Sequence, residues 1–332
     1  PINIGCTAGI ETTKISPEWV QKSYLMDKII VVSNHSKSVY EDTNYTAANE
    51  ATGQQVQLVL TTPTHTVNYP AKTFETLPEI ELKLDYDFNF LSVAQWGPRK
   101  NLANTVKWFV EEFKDEEVGL VIKTNIAKNC FMDREKIFHE MKGFMEQFNK
   151  QHTCKVYLLH GDMTDEEMHS LYTNSKIKSL VAIPHGEGFG LPIFEAAYSG
   201  LPVIATGWSG QLDFLVDGKG RDWFYNVAFD MQLIPPAVEW EGVLLKESMW
   251  AYPREQSVKE QMRMCYDDIQ SGAKNTGQDL ADKLALRLHD EFSPEKKYEE
   301  FCNVIIEKDA LEIENWLMGL QDPAEDEIVE HE

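Results

Sequence analysis

His185-Gly-Glu-Gly-Phe-Gly-Leu-Pro-Ile-Phe-Glu195 is a glycine-rich turn that breaks into a helix, and it decides the fold. Ser179-Leu-Val-Ala-Ile183 before it and Leu201-Pro-Val-Ile-Ala205 after it read as buried strands. Strand, turn, helix and strand make a βαβ unit, whose ligands sit at the carboxyl ends of the strands. Two carboxylates, Glu187 and Glu195, stand on either side of the break.

The backbone supplies the first part of the chemistry. Gly186, Gly188 and Gly190 let the chain approach a ligand closely. Unpaired N–H groups from Gly188 through Phe189, Gly190 and Leu191 to Phe194 point forward from the helix start, which makes an anion site suited to a diphosphate. Pro192 fits the first helical turn, where its missing N–H costs nothing. Each oxygen of a carboxylate accepts an O–H, so carboxylates suit vicinal hydroxyls. Two of them flanking a phosphate site point to a nucleotide sugar, with one Glu on the ribose and the other on the hexose.

The run Glu187-Gly-Phe-Gly-Leu-Pro-x-x-Glu195-Ala-x-x-x-Gly200-x-Pro202-Val-Ile-Ala resembles the E-x7-E signature of retaining glycosyltransferases of family 4 (group 1), which have the GT-B fold. The resemblance implies that Glu195 takes the ribose and Glu187 the hexose. It also implies a catalytic lysine at Lys100 in Arg99-Lys100-Asn101, placed on the leaving phosphate. A second basic residue is usual five positions earlier, where this chain has Gln95, so Arg99 is the substitute phosphate cation. His160, Gly161 and Met163 fall where the family holds the base, and His185 lies within reach of the sugar. The acceptor side corresponds to Thr7, Glu11 and Thr12. Retention is implied by the resemblance, and no side chain is named as nucleophile. No metal or other cofactor is expected, because helix N-termini and Lys100 do the work of a cation. Asp85-Tyr86-Asp87 spells the D-x-D metal signature of the other glycosyltransferase fold, but short acidic triplets are common in so acidic a chain.

Outward from the motif, alternating strands and helices predict an α/β chain with two Rossmann-like parallel sheets. Strands are expected at 89–93, 118–122 and 155–159, with Leu102, Val106, Phe109, Val110 and Phe113 on a helix between the first two. Thr164-Asp-Glu-Glu167 is a capping box. Earlier, strands are expected at 2–5, 27–33 and 55–61, and the resemblance implies that this first domain is truncated or reduced. The predicted boundaries are 1–87 for the partial acceptor-side domain, 88–290 for the nucleotide-sugar domain, and 291–332 for helices crossing back plus an acidic tail. Residues 216–250 show no clear periodicity.

A net charge of −23 over 332 residues argues against nucleic acid or an anionic membrane as partner. Five scattered cysteines imply reduced thiols and a cytoplasmic setting. No apolar run approaches the roughly 20 residues that span a bilayer, so no transmembrane segment is expected. The expected partners are a nucleotide-sugar donor and a glycan, lipid or protein acceptor. Two other classes share these features: a sugar-nucleotide epimerase, which needs no acceptor, and a non-catalytic nucleotide-sugar binding protein.

Overall fold

The computed structural model describes residues 2–48, 54–148 and 152–306. The first unit contains β1 (Ile4–Thr7), α1 (Pro17–Ser23), β2 (Lys28–Val31), α2 (Asn34–Asp42), β3 (Asn44–Ala48), β4 (Gln55–Val59) and β5 (Thr64–Thr66). Ser16 caps α1 by accepting the Trp19 N–H at 3.4 Å, and Pro17 occupies the first turn. β1, β2 and β5 form a parallel sheet in that order. A small core of Ile10, Ile15, Val20, Ile29, Val31, Val39 and Tyr40 holds it to the helices.

The strand expected at 55–61 is not part of that sheet. β4 pairs antiparallel with β3 as a largely exposed hairpin. Its sequence, Gln-Val-Gln-Leu-Val, alternates, which is the pattern of a two-faced antiparallel strand. The continuous apolar run at β2 is that of a buried parallel one. The third parallel strand is instead Thr64-His-Thr66, too short and too polar to be read in advance.

The second unit contains β6 (Asn89–Val93), α3 (Leu102–Glu112), β7 (Gly119–Lys123), α4 (Phe131–Met145), β8 (Lys155–Leu159), α5 (Asp165–Tyr172) and β9 (Ile177–Ala182). It continues through α6 (Leu191–Tyr198), β10 (Val203–Thr206), α7 (Leu212–Leu215) and β11 (Tyr225–Val227). Its six strands are all parallel, in the order β11-β10-β9-β6-β7-β8. Successive strands therefore build outward from β6 in one direction, then restart at β9 in the other. The crevice between the carboxyl ends of β6 and β9 is the topological switch point, where ligands of such sheets bind.

Helices cover both faces. In β6 and β7, Leu91 and Val121 face a core with Phe194, Phe214 and Leu288. Their neighbours Phe90, Leu120 and Ile122 face another with Phe109, Phe113 and Met262. Burial in that second core pushes the Cys265 thiol up to about 12, leaving it an inert apolar group. The unassigned stretch supplies β11 and an antiparallel ribbon of β12 (Phe229–Leu233) with β13 (Met249–Pro253). α8 (Glu255–Ser271), α9 (Gly277–Glu291) and α10 (Pro294–Ile305) follow, and the acidic tail from Ala310 lies outside the described residues.

The two units meet at the glycine-rich turn. Ser33 Oγ donates to the Gly188 carbonyl at 2.5 Å. Asp213 accepts the Asn34 N–H and the Asn68 amide, both at 2.9 Å. The Met249 N–H bonds Thr13 Oγ1 at 3.0 Å. From the other end, α10 lies back on the first unit, where Lys28 Nζ donates to the Val304 carbonyl at 2.8 Å.

Candidate functional site

Two loops face each other across the switch point. The loop after β6 makes one 3₁₀ turn over Pro98–Lys100 and enters α3 through Asn101, whose backbone is left-handed at φ 57°. The loop after β9 carries residues 183–190. They are stitched together, since the His185 N–H donates to the Arg99 carbonyl at 2.8 Å and the Asn101 amide to the Ile183 carbonyl at 3.3 Å. The tightness of both loops is what aims their charged side chains.

Those charges converge on Glu187. Lys100 Nζ lies 2.5 Å from Glu187 Oε1, and Arg99 Nη1 lies 3.2 Å from Oε2. Arg99 Nη1 also donates to the Gly186 carbonyl at 2.7 Å, and Nη2 sits 3.5 Å from Glu11 Oε1 of the first unit. Glu187 is buried, and its N–H bonds Ser209 Oγ at 3.0 Å. A cavity of about 10 Å³, lined by Ser92, Ala94, Lys100, Ala182, Glu187 and Pro192, lies beside this cluster.

The helix start fits an anion. Gly190 adopts a left-handed backbone at φ 93°, and its carbonyl takes the N–H groups of both Ile193 and Phe194. The N–H groups of Phe189, Gly190 and Leu191, at and just before the start of α6, make no backbone hydrogen bond among the described residues and are open to an anion. The Phe189 side chain points the other way, into the core against Tyr69, Phe194 and Phe214. Only its backbone is at the site.

Glu195 does not share the Glu187 cavity. It lines a second one of about 10 Å³ between α5 and α6, with Asp165, His169, Tyr172 and Tyr198. Burial raises its carboxyl above the ordinary range, opposed by the Tyr172 hydroxyl, which donates to Oε2 at 3.1 Å.

Several expected contacts lie elsewhere. The His185 ring stacks on Trp250 (5.4 Å between centroids, 9° between planes), and its Nδ1 lies 2.8 Å from the Ala251 carbonyl. Burial lowers its pKa, and the ring holds β13 to the motif loop. His160 Nε2 lies 3.0 Å from Asp133 Oδ1. Burial alone would raise the Asp133 carboxyl, but the N–H groups of Lys128, Ile126 and Ala127, together with His160, hold it well below its usual range. That pair ties the loop after β8 to the start of α4. Gly161 has φ 123° and accepts from Lys123 Nζ at 2.5 Å, while Met163 packs against the core. Gln95 turns away to the Ile126 carbonyl at 2.6 Å.

On the acceptor side only Glu11 reaches the cluster. Thr12 is fully buried with its hydroxyl on the Lys14 carbonyl at 3.1 Å, and Thr7 lines two cavities of the first unit. The Asp85 carboxylate pairs with Lys155 Nζ at 2.9 Å and accepts the Tyr157 hydroxyl. Among the described residues no group of three or more His, Cys, Asp and Glu is placed to hold a metal ion. No helix among them is long and apolar enough to cross a membrane.

One support of the Glu11 loop was invisible in the sequence. His35, at the start of α2, lies edge-on to Trp208 at 4.8 Å, with its Nε2 buried and unpartnered among the described residues. Burial drives its pKa from 6.5 down to about 4, against the opposing pull of the Ile10 and Thr12 carbonyls that flank Glu11. The unfolded chain therefore binds a proton between those values that the folded chain refuses, so stability falls as pH falls through that window. Urea unfolding is expected to show about 2 kcal/mol lost between about pH 7 and pH 5 through this group. His35→Gln should remove that part of the slope, and an unchanged slope would rule the mechanism out.

Residues 73–231 match the family model of the glycosyl transferases, group 1. Over 121 residues, 35% of this chain, the sequence is 36% identical to the serotype-specific mannosyltransferase WbdA of Escherichia coli. The match spans 13% of that relative's length. Among solved structures, sucrose-phosphate synthase from Thermosynechococcus elongatus superposes with a TM-score of 0.56 at 14% identity, covering 87% of this chain and 61% of that one. HepE of Anabaena, in complex with UDP and glucose, superposes with 0.55 at 12% identity, covering 91% and 70%. The architecture is the GT-B fold. In GT-B terms the six-stranded unit is the second Rossmann-like domain, and Glu11 belongs to the first.

Proposed function

We propose that this chain carries the donor site of a retaining, metal-independent glycosyltransferase of family 4, which moves a hexosyl group from a nucleoside-diphosphate sugar to an acceptor hydroxyl. The observation that carries the reading is the Lys100–Glu187 pair at the switch point, beside the open N–H groups of α6. The match to the group 1 family model over the same residues supports it. A mannosyl donor is the first to test, given the identity with a mannosyltransferase over 121 residues.

In this reading the diphosphate lies against the start of α6. Lys100 swings from Glu187 to the phosphate, and Glu187 accepts hydroxyls of the sugar. The bond from the anomeric carbon to the phosphate oxygen breaks, and its electron pair stays on the phosphate, where Lys100 and the helix N–H groups stabilise it. The acceptor oxygen bonds to the anomeric carbon on the same face, and its proton passes to the departing phosphate. Glu195 takes the ribose hydroxyls.

Removing Glu195 tests the donor assignment most directly. A hydrogen bond to a charged group is worth about 1.5–3 kcal/mol, so Glu195→Ala should weaken nucleotide binding about 10- to 100-fold. Calorimetric titration with UDP, GDP and ADP reads this and also fixes the base. Equal affinity in the variant would remove Glu195 from the site, and no binding to any of the three would remove the donor reading.

A further inference from the structure

The loop after β6 carries two cations, and both are spent on one carboxylate. Glu187 is 8% exposed, and a carboxylate that far from water is strongly disfavoured without a partner. On the donor reading proposed above, Lys100 leaves Glu187 for the phosphate. Something must then keep Glu187 charged and aimed.

The geometry singles out Arg99 as the cation that stays. Its planar fork is held at once by Glu187 Oε2, the Gly186 carbonyl and Glu11 Oε1, at 3.2, 2.7 and 3.5 Å. A guanidinium fixed on three acceptors has little freedom to turn toward a new anion. Lys100 is the opposite case, a single point charge on a flexible stem, with one carboxylate oxygen as its partner in the cluster. We propose that Arg99 is a positioning residue and not a phosphate ligand. It holds Glu187 toward the donor sugar while Lys100 turns to the phosphate, and through Glu11 it fastens the first domain's loop over the loaded site. The Glu11 arm is half-exposed, so it orients the guanidinium more than it binds it. This departs from the expectation that Arg99 replaces the basic residue missing at Gln95.

The proposal rests on the nucleotide-sugar reading, and one set of titrations separates the two. Wild type, Lys100→Gln, Arg99→Gln and Arg99→Lys are titrated with UDP, GDP and ADP, and with UDP-glucose, GDP-mannose and ADP-glucose. Arg99→Gln should weaken the sugar conjugate about tenfold or more while weakening the bare diphosphate less than about threefold. Lys100→Gln should weaken both, and Arg99→Lys should recover part of the lost discrimination. Equal loss of the bare diphosphate in Arg99→Gln and Lys100→Gln would make Arg99 a phosphate ligand and overturn the proposal. So would an Arg99→Gln variant that binds the conjugates like wild type. If wild type binds none of the six, the donor reading itself falls. Should Arg99→Gln fail to fold by thermal melting, Glu11→Gln, which leaves Arg99 on Glu187, should show the same split at about threefold, and no split there would count against the proposal.

Discussion

Replacing Lys100 by alanine is expected to lower the rate of sugar release or transfer about 100- to 1,000-fold. Removing one preorganised group that meets developing charge costs about 2.7–4 kcal/mol in the transition state. Lys100 shares a cavity with Glu187 and with Pro192 and Ile193 of the first turn of α6. The fold should survive the change. Glu187 keeps Arg99 at 3.2 Å and its own backbone bond to Ser209, so the melting temperature should fall only slightly. Ground-state binding of the nucleotide should fall far less than the rate, because the leaving phosphate gains charge only as the glycosidic bond breaks. Measuring kcat and KM for a donor that wild type accepts reads both effects. A folded Lys100→Ala with kcat within fivefold of wild type would sink the assignment.

The motif was legible because its residue types answer to backbone needs that are local. Gly190 must be left-handed to open α6, and Pro192 sits where no N–H is wanted. The doubly wound sheet was legible for the same reason: β6, β7 and β9 are short strands with apolar centres (Phe90-Leu91, Leu120-Val-Ile122, Leu180-Val-Ala182) separated by helix-period segments. What the sequence could not show depended on distant partners. His185 looks like a ligand beside a glycine turn, yet its orientation is set by Trp250 and Ala251, in a stretch with no readable period. The Phe189 backbone stays in the motif where it was expected, and its benzyl group turns to Tyr69 and Phe214, a packing that only the folded chain shows. Arg99 and Lys100 are adjacent in sequence and both basic. Only the position of Glu11, almost ninety residues earlier, gives them different jobs. The parallel strand at Thr64–Thr66 has three residues and no apolar run, so no pattern announced it.

The glycines of the motif serve the domain interface as well as the ligand, and Gly188 tests this. A Cβ there would stand 2.6 Å from the Ala8 carbonyl oxygen and 3.0 Å from the Gly9 Cα. Both are backbone atoms of the first domain, so no side-chain rotation relieves the clash, and the domain must shift as a body. That shift breaks the Ser33 bond to the Gly188 carbonyl and pulls Glu11 from Arg99. Overpacking of this kind costs about 1–3 kcal/mol in stability. The larger loss falls on activity, since displacing reacting groups by about 1 Å costs about 100-fold. Gly188→Ala should therefore reduce transfer about 100-fold or more, with a modest fall in melting temperature. Gly97→Ala is the matched control in the facing loop: its backbone is extended at φ −170°, and a Cβ there meets nothing within 4 Å. Hydrogen exchange at residues 8–11 should rise in Gly188→Ala and stay level in Gly97→Ala. Wild-type activity and protection in Gly188→Ala would mean that the first domain does not rest on the motif as the structure has it.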